Sequence, residues 1–175
     1  MVGALIVVNG VPGAGKTTLS RALAAQLGVP LVAKDAIKEA LADTVATGLP
    51  TSALGAIASE TQWRIAALLD ATVIMESFWA TGRDDDFFAR GYGSIGSPPG
   101  VEVWCSVPMD VAVHRFRTRR RHSAHSDDER LDEMRALAAR ARPITGLPVI
   151  TVQTDGPVDL DELAARIRVG LPLPR

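Results

Sequence analysis

Apolar residues run almost unbroken from Ala4 to Val8, the pattern of a parallel strand covered on both faces. Glycine-rich Gly10–Gly15 follows. Leu19, Leu23 and Leu27 then recur every fourth residue up to Gly28, which predicts a helix and its stop. Pro30–Ala33 reads as a short second strand and Asp35–Ala42 as a helix broken by Gly48-Leu49-Pro50. Ser52–Asp70 is a long alanine-rich helical stretch, and Thr72–Met75 a third strand ending at Glu76. Gly91–Gly100, rich in Gly, Pro and Ser, reads as a loop, and Val101–Val107 as the fourth strand. Met109, Ala112, Val113 and Phe116 share one helical face. Ser126 and Glu129 form a capping-box pattern before a helix with Leu131, Met134, Ala138 and Ala141 on one side. Pro148–Val152 is a fifth strand and Pro157–Val169 a closing helix. Strands alternating with helices predict an α/β fold with a parallel sheet and right-handed crossovers.

Composition narrows the class. The chain has 175 residues, 47% hydrophobic and 22% charged, which suits one globular domain spanning 1–175. Its net charge of −1 argues against a dedicated nucleic-acid or anionic-membrane binder. The lone cysteine, Cys105, excludes an intrachain disulfide and points to a reducing compartment, hence a cytoplasmic location; on its apolar strand it reads as a small buried hydrophobe. The first residues lack a charged n-region and carry too short an apolar run for a signal peptide or a membrane span. Oligomeric state is not legible.

The strongest chemical signal is Gly10-Val11-Pro12-Gly13-Ala14-Gly15-Lys16-Thr17, a full match to G-x-x-x-x-G-K-[ST] between a predicted strand and a predicted helix, with Thr18 next in line. Its glycines let successive backbone N–H groups curl toward a phosphate, and the helix N-terminus adds its dipole. Lys16 is expected to reach the β- and γ-phosphates, and Thr17 to ligate Mg²⁺. A GTPase would need an Asn-Lys-x-Asp guanine reader, which the chain lacks. An AAA-type motor usually needs a longer chain and an Asp-Glu pair, whereas the third strand ends Ile74-Met75-Glu76-Ser77. What remains favours a small kinase.

Asp35 follows the second strand, about 20 residues past the phosphate loop, which places it at the carboxyl edge of the sheet beside a triphosphate. A carboxylate there can orient and deprotonate an attacking hydroxyl. Asp35 is also a candidate helix N-cap, and the two roles are compatible. Lys38 lies one turn later on the same face, suited to an anionic substrate group. This phosphate loop followed by Asp35-x-x-Lys38 resembles the small P-loop kinases of the nucleoside-monophosphate-kinase fold. It is most similar to the compact AAA-33 kinases, a group with chloramphenicol-phosphotransferase-like, zeta-toxin-like and polynucleotide-kinase-like members; gluconate and shikimate kinases are more distant. The resemblance implies a three-layer α/β/α P-loop fold with strand order 2-3-1-4-5, Asp35 as catalytic base, and an arginine-bearing lid.

Glu76 stands where such proteins often carry a magnesium-ordering aspartate; its alternative is a surface carboxylate ending a strand. Phe78 and Trp79 follow at that edge. Phe78 is the better core candidate, and Trp79 is expected to stack on an acceptor ring. Arg83 resembles the family arginine after this strand, while Asp84-Asp85-Asp86 reads as a solvated helix start. Five arginines fall within residues 115–121, at the start of a predicted lid spanning about 115–128. The apolar face of the preceding helix runs on to Arg119 and Arg120, which points them, with Arg121 just beyond, at the nucleotide; the alternative is a solvated face paired with Asp127, Asp128, Glu129 and Asp132. His122 and His125 fit a lid loop better than a zinc site. Thr154-Asp155-Gly156-Pro157 has two readings, a wall of the adenine pocket or a turn with Pro157 at the first helical position.

Together these residues predict a kinase that transfers the γ-phosphoryl group of ATP, with Mg²⁺, to a hydroxyl of a small molecule. Two other readings stand beside it: a kinase for a nucleotide-sugar or a polynucleotide 5′ end, and a nucleotide-binding regulator with little turnover.

Overall fold

A computed structural model describes residues 2–45, 48–118, 122 and 131–171, with only the backbone of 131–134. Along the chain come β1 (Leu5–Asn9), α1 (Lys16–Leu27), β2 (Leu31–Ala33), α2 (Lys34–Thr44), α3 (Thr51–Leu68) and β3 (Val73–Glu76). Then follow α4 (Asp85–Ser94), β4 (Gly100–Ser106), α5 (Met109–Thr118), α6 (Leu131–Arg140), β5 (Val149–Gln153) and α7 (Leu160–Gly170). The five strands form one parallel sheet in the order β2-β3-β1-β4-β5, with helices on both faces, as the resemblance implied.

The apolar run in β1 has the expected cause. Ile6 and Val8 face one core, with Leu19 and Leu23 of α1, Phe116 of α5 and Ile167 of α7. Leu5 and Val7 face another, with Trp63 of α3, Phe88 of α4 and Met75 of β3. Every β1 residue is therefore buried, and at about 25 cal/mol per Å² of apolar surface the central strand contributes heavily to stability. The carboxyl ends of β1 and β3 lie side by side, with Val8 opposite Glu76, so the phosphate loop and the β3 exit share one edge.

Three local expectations are corrected. Gly91–Ser94 belongs to α4 rather than to a loop, because Gly91 lies directly against the indole of Trp63, where a side chain would collide. Close packing of the helix backbone on that ring outweighs the low helix propensity of glycine. The closing helix starts at Leu160, not Pro157, because Asp159 caps it by accepting from the Glu162 amide at 2.9 Å. Asp35 is not an N-cap: α2 starts from Ala33, and Asp35 sits in its first turn without a side-chain capping bond. The capping box at Ser126 and Glu129 lies outside the described residues. No described helix is long and apolar enough to cross a membrane.

Candidate active site

The phosphate loop takes the backbone its glycines permit. Gly10, Gly13 and Gly15 have φ of 144°, 84° and 82°, values that L side chains rarely adopt. A Cβ on Gly10 would stand 2.7 Å from the Cys105 carbonyl oxygen, and one on Gly13 would collide with the Ala112 carbonyl. The loop is thus wedged between the end of β4 and the start of α5. Ala14 is fully buried behind it, and its amide donates to the Val11 carbonyl at 3.0 Å. Pro12 is half-buried in the same turn.

Lys16 turns back over the loop, donating from Nζ to the Val11 carbonyl at 3.1 Å, with Nζ 5.8 Å from the Phe78 ring centroid. Thr17 Oγ1 donates to Glu76 Oε2 at 3.4 Å. Glu76 is only 2% exposed, so it is not a surface carboxylate. Burial pushes its carboxyl above the ordinary range; the charge of Asp35 adds to that rise, and Lys16, Thr17 and Arg21 oppose it. The four residues singled out around the phosphates, Lys16, Thr17, Asp35 and Glu76, therefore occupy one electrostatic neighbourhood. Gln62 of α3 frames it, donating from Nε2 to the carbonyls of Val32 (2.7 Å) and Glu76 (2.9 Å), which clips the end of β2 to the end of β3.

The stacking role expected of Trp79 is overturned, while Phe78 packs against the core as read and also borders the site. Trp79 is 3% exposed and packs with Trp63 and Phe88 at centroid distances of 6.4 and 5.5 Å, so it cannot offer a face to an acceptor ring. Phe78 is half-buried and faces the site, between Lys16 and the Arg83 guanidinium, which lies 5.4 Å from its centroid. Consecutive residues leaving a strand point to opposite sides, and the interior claimed the larger ring. Arg83 is held at the site edge by Asp84 and by the Phe78 carbonyl. Asp84 also accepts from the Ala80 amide at 2.8 Å, closing the turn that leads into α4. Lys38 is buried on α2 and engaged with its neighbours.

On the other side of α1 a cavity of about 400 Å³ is lined by Thr18, Ala22, Arg115, Thr154, Pro157 and Leu160, among others. Arg115 donates to the carbonyls of Thr154 (2.8 Å) and Asp155 (3.3 Å). The Thr154 hydroxyl lies 2.6 Å from the Ala14 carbonyl, tying this wall to the phosphate loop. Thr154, in the segment read either as a pocket wall or as a turn, lines this cavity; Arg115, the first arginine of the run, lines it too, whereas the sequence singled out the later members of that run. Arg119, Arg120 and Arg121 lie outside the described residues. His122 sits with Nε2 2.8 Å from Asp43 Oδ1 near the end of α2. Among the described residues no cluster of three His, Cys, Asp or Glu side chains could hold a metal.

Residues 5–141 match the family model AAA-33, described as an AAA domain. The chain belongs to this family. It is a small P-loop kinase, an ATP-dependent phosphotransferase with an alcohol group as acceptor. It is 31% identical over 160 residues to a shikimate kinase from Halorhodospira halophila, covering 86% of this chain and 84% of that one. A shikimate kinase from Ruegeria pomeroyi is 28% identical over 167 residues, 95% of this chain and 84% of its own. Among solved structures, a candidate kinase from Chloroflexus aurantiacus superposes with a TM-score of 0.85 at 31% identity, covering 98% of this kinase and 100% of its own chain.

Proposed function

We propose that this kinase transfers the γ-phosphoryl group of MgATP to a hydroxyl of a small polar metabolite. The observation that carries the reading is the convergence of Lys16, Thr17, Glu76 and Asp35 on one edge of the sheet, with two carboxylates in a single electrostatic field. Lys16 and the loop amides hold the β- and γ-phosphates. Thr17 and Glu76 fit one Mg²⁺: a hard cation takes oxygen ligands and keeps several waters, so a hydroxyl and a nearby carboxylate suffice beside phosphate oxygens. When bound, the ion neutralises charge on the phosphates. Asp35 orients the acceptor hydroxyl and takes its proton. Lys38 and Arg83 supply positive charge on the acceptor side. The cavity between Arg115 and Pro157 receives the adenine, where a guanidinium already fixed by two carbonyls presents a flat face to a base. Arg119, Arg120 and Arg121 retain the role the resemblance implies, neutralising the transferring group.

The test is ADP release from MgATP across a panel of hydroxylated acceptors, with a no-acceptor blank. Shikimate heads the panel, because the relatives above carry that name, followed by sugar acids, antibiotics, nucleosides, nucleotide-sugars and a 5′-hydroxyl oligonucleotide. Stimulation by one small-molecule class supports the proposal. Stimulation by the oligonucleotide alone, or a flat panel with MgATP bound, overturns it.

A separate expectation concerns Glu76. Its folded carboxyl is raised, so in metal-free protein its ionisation opposes folding above the ordinary glutamate range, and that cost disappears as pH falls below it. Glu76→Gln is therefore expected to raise the metal-free Tm at pH 7 to 8, with the gain shrinking toward pH 4. The same change is expected to cut turnover by about a hundredfold and weaken the response to Mg²⁺. Thermal melts across pH and a Mg²⁺ titration of ADP release check both halves; a Tm gain with unaltered Mg²⁺ dependence would remove Glu76 from the metal site.

A further inference from the structure

Two polar side chains are fully buried within the sheet: Asn9 at the end of β1 and Glu102 in β4. Neither belongs to the phosphate-loop motif or to the acceptor side. Together they connect three separate stretches of chain.

Glu102 lies opposite Val7 in the sheet. Its side chain shares the sheet face occupied by Leu5, Val7 and the Trp63 cluster, since its neighbours Val101 and Val103 occupy the other. Over β4 this face is covered by the segment that returns from α6 to β5, with Ile144 and Leu147 packed into the cluster. The backbone of that segment needs partners, and Glu102 supplies them. Oε2 accepts from the Ile144 amide (3.1 Å), the Thr145 amide (3.1 Å) and the Thr145 hydroxyl (2.8 Å). Oε1 accepts from Asn9 Nδ2 at 2.9 Å. Every partner is a donor, so Glu102 acts purely as an acceptor.

That fact orients Asn9. A carboxamide has one donating and one accepting end. With Nδ2 turned toward Glu102, Oδ1 must face the other way, where it receives the Gly10 amide at 2.7 Å and the Trp79 amide at 3.1 Å. Nδ2 also donates to the Trp79 carbonyl at 3.2 Å. The first residue of the phosphate loop and both backbone groups of Trp79, three residues past Glu76, thus hang on one amide whose direction Glu102 sets. A second tie runs in parallel, from the Thr81 hydroxyl to the Arg142 carbonyl at 2.9 Å.

We propose that Glu102 is a positioning residue for the nucleotide: acting through Asn9, it holds the start of the phosphate loop and the β3–α4 loop in register with the segment returning from α6. This rests on the nucleotide reading above. It goes beyond that reading by assigning ATP affinity to a side chain that touches no part of the ATP.

The experiment compares Glu102→Gln, Thr145→Val and Thr145→Ser in the full chain. Binding of MgATP is measured by titration, and the Gly10 amide is followed by ¹⁵N NMR in the ligand-free protein. Glutamine puts an NH₂ among donors, so Asn9 is driven to turn over and Gly10 loses its acceptor. The expected result is about tenfold weaker MgATP binding, within the range for an unsatisfied buried donor, with a shifted and less exchange-protected Gly10 amide. Thr145→Val, remote from the phosphate loop in sequence, is expected to move both readouts the same way by less, and Thr145→Ser to restore them by returning the hydroxyl. A folded Glu102→Gln with MgATP affinity within about twofold of the parent and an unmoved Gly10 signal overturns the proposal, leaving the nucleotide reading intact. Should Glu102→Gln fail to fold, the threonine pair decides: a serine variant as impaired as the valine one overturns the proposal. A parent chain that does not bind MgATP overturns the nucleotide reading and this inference with it.

Discussion

Replacing Lys16 by alanine is expected to lower kcat/KM for ATP by about a thousandfold or more, the scale lost when a cation on a transferring phosphoryl group is removed. The geometry gives the reason. The ammonium bonds the carbonyl of Val11 within its own loop and lies against Phe78, so it is carried by the glycine-rich turn itself. Alanine keeps the backbone and the glycine torsions but removes the charge. Lys16→Arg is expected to do nearly as badly, because a planar fork does not replace a compact ammonium on a short reach across a closed loop. Steady-state kinetics with varied ATP, alongside a thermal melt, provides the check. The melt should change little, since Lys16 is not in the core. Unchanged turnover would sink the triphosphate assignment.

The second large effect is expected from Asp35→Asn, a loss of about 10²- to 10⁴-fold in acceptor-dependent transfer, the contribution typical of a positioned general base. Asparagine is nearly the same shape, and Asp35 makes no capping bond that the change would break, so stability and ATP affinity should be preserved. A second consequence follows from the neighbouring carboxyl. The charge of Asp35 helps push Glu76 upward, so its removal lets Glu76 ionise at lower pH. Asp35→Asn should therefore bind Mg²⁺ better than the parent enzyme in mildly acidic solution while transferring almost nothing. A binding isotherm at two pH values beside a kinetic assay separates the outcomes. Loss of ATP binding together with transfer would make Asp35 a structural residue.

What could be read from the chain follows a physical line. β1 and its phosphate loop were legible because strand burial, glycine torsions and the lysine all lie within a dozen consecutive residues. Asp35 and Glu76 were legible because in a parallel sheet the residue leaving a strand reaches one common edge. Trp79 was misassigned although the alternation of β3 runs on past its end: it falls in line with Val73 and Met75 in the cluster of Trp63 and Phe88, and Phe78 falls in line with Ile74 on the other face. Gly91 was misread because its value lies in the indole pressed against it, twenty-eight positions away in sequence. Arg115 was hidden among like charges, and its part emerges only from the two carbonyls that hold it. Asn9 and Glu102 did leave a trace, a polar residue beside the apolar run of β1 and a carboxylate between the valines of β4. What such a residue meets across ninety-three positions is a matter of topology.

The clip made by Gln62 has a consequence for heat. β2 is an edge strand, as β5 is, but only three residues long, with a ladder on one side only, and Asp35 lies two residues past its end. Opening free energies in a folded protein vary from segment to segment, and short edges with few partners lie at the low end. The two bonds from the Gln62 amide offset part of that weakness at the very end of the strand. On warming, this short edge would still fray before the longer strands of the sheet, carrying Asp35 away from an intact phosphate loop. The enzyme would then lose its chemistry at a temperature where its hydrophobic cores are whole and it still grips the nucleotide, and cooling would return the activity without any refolding of the sheet.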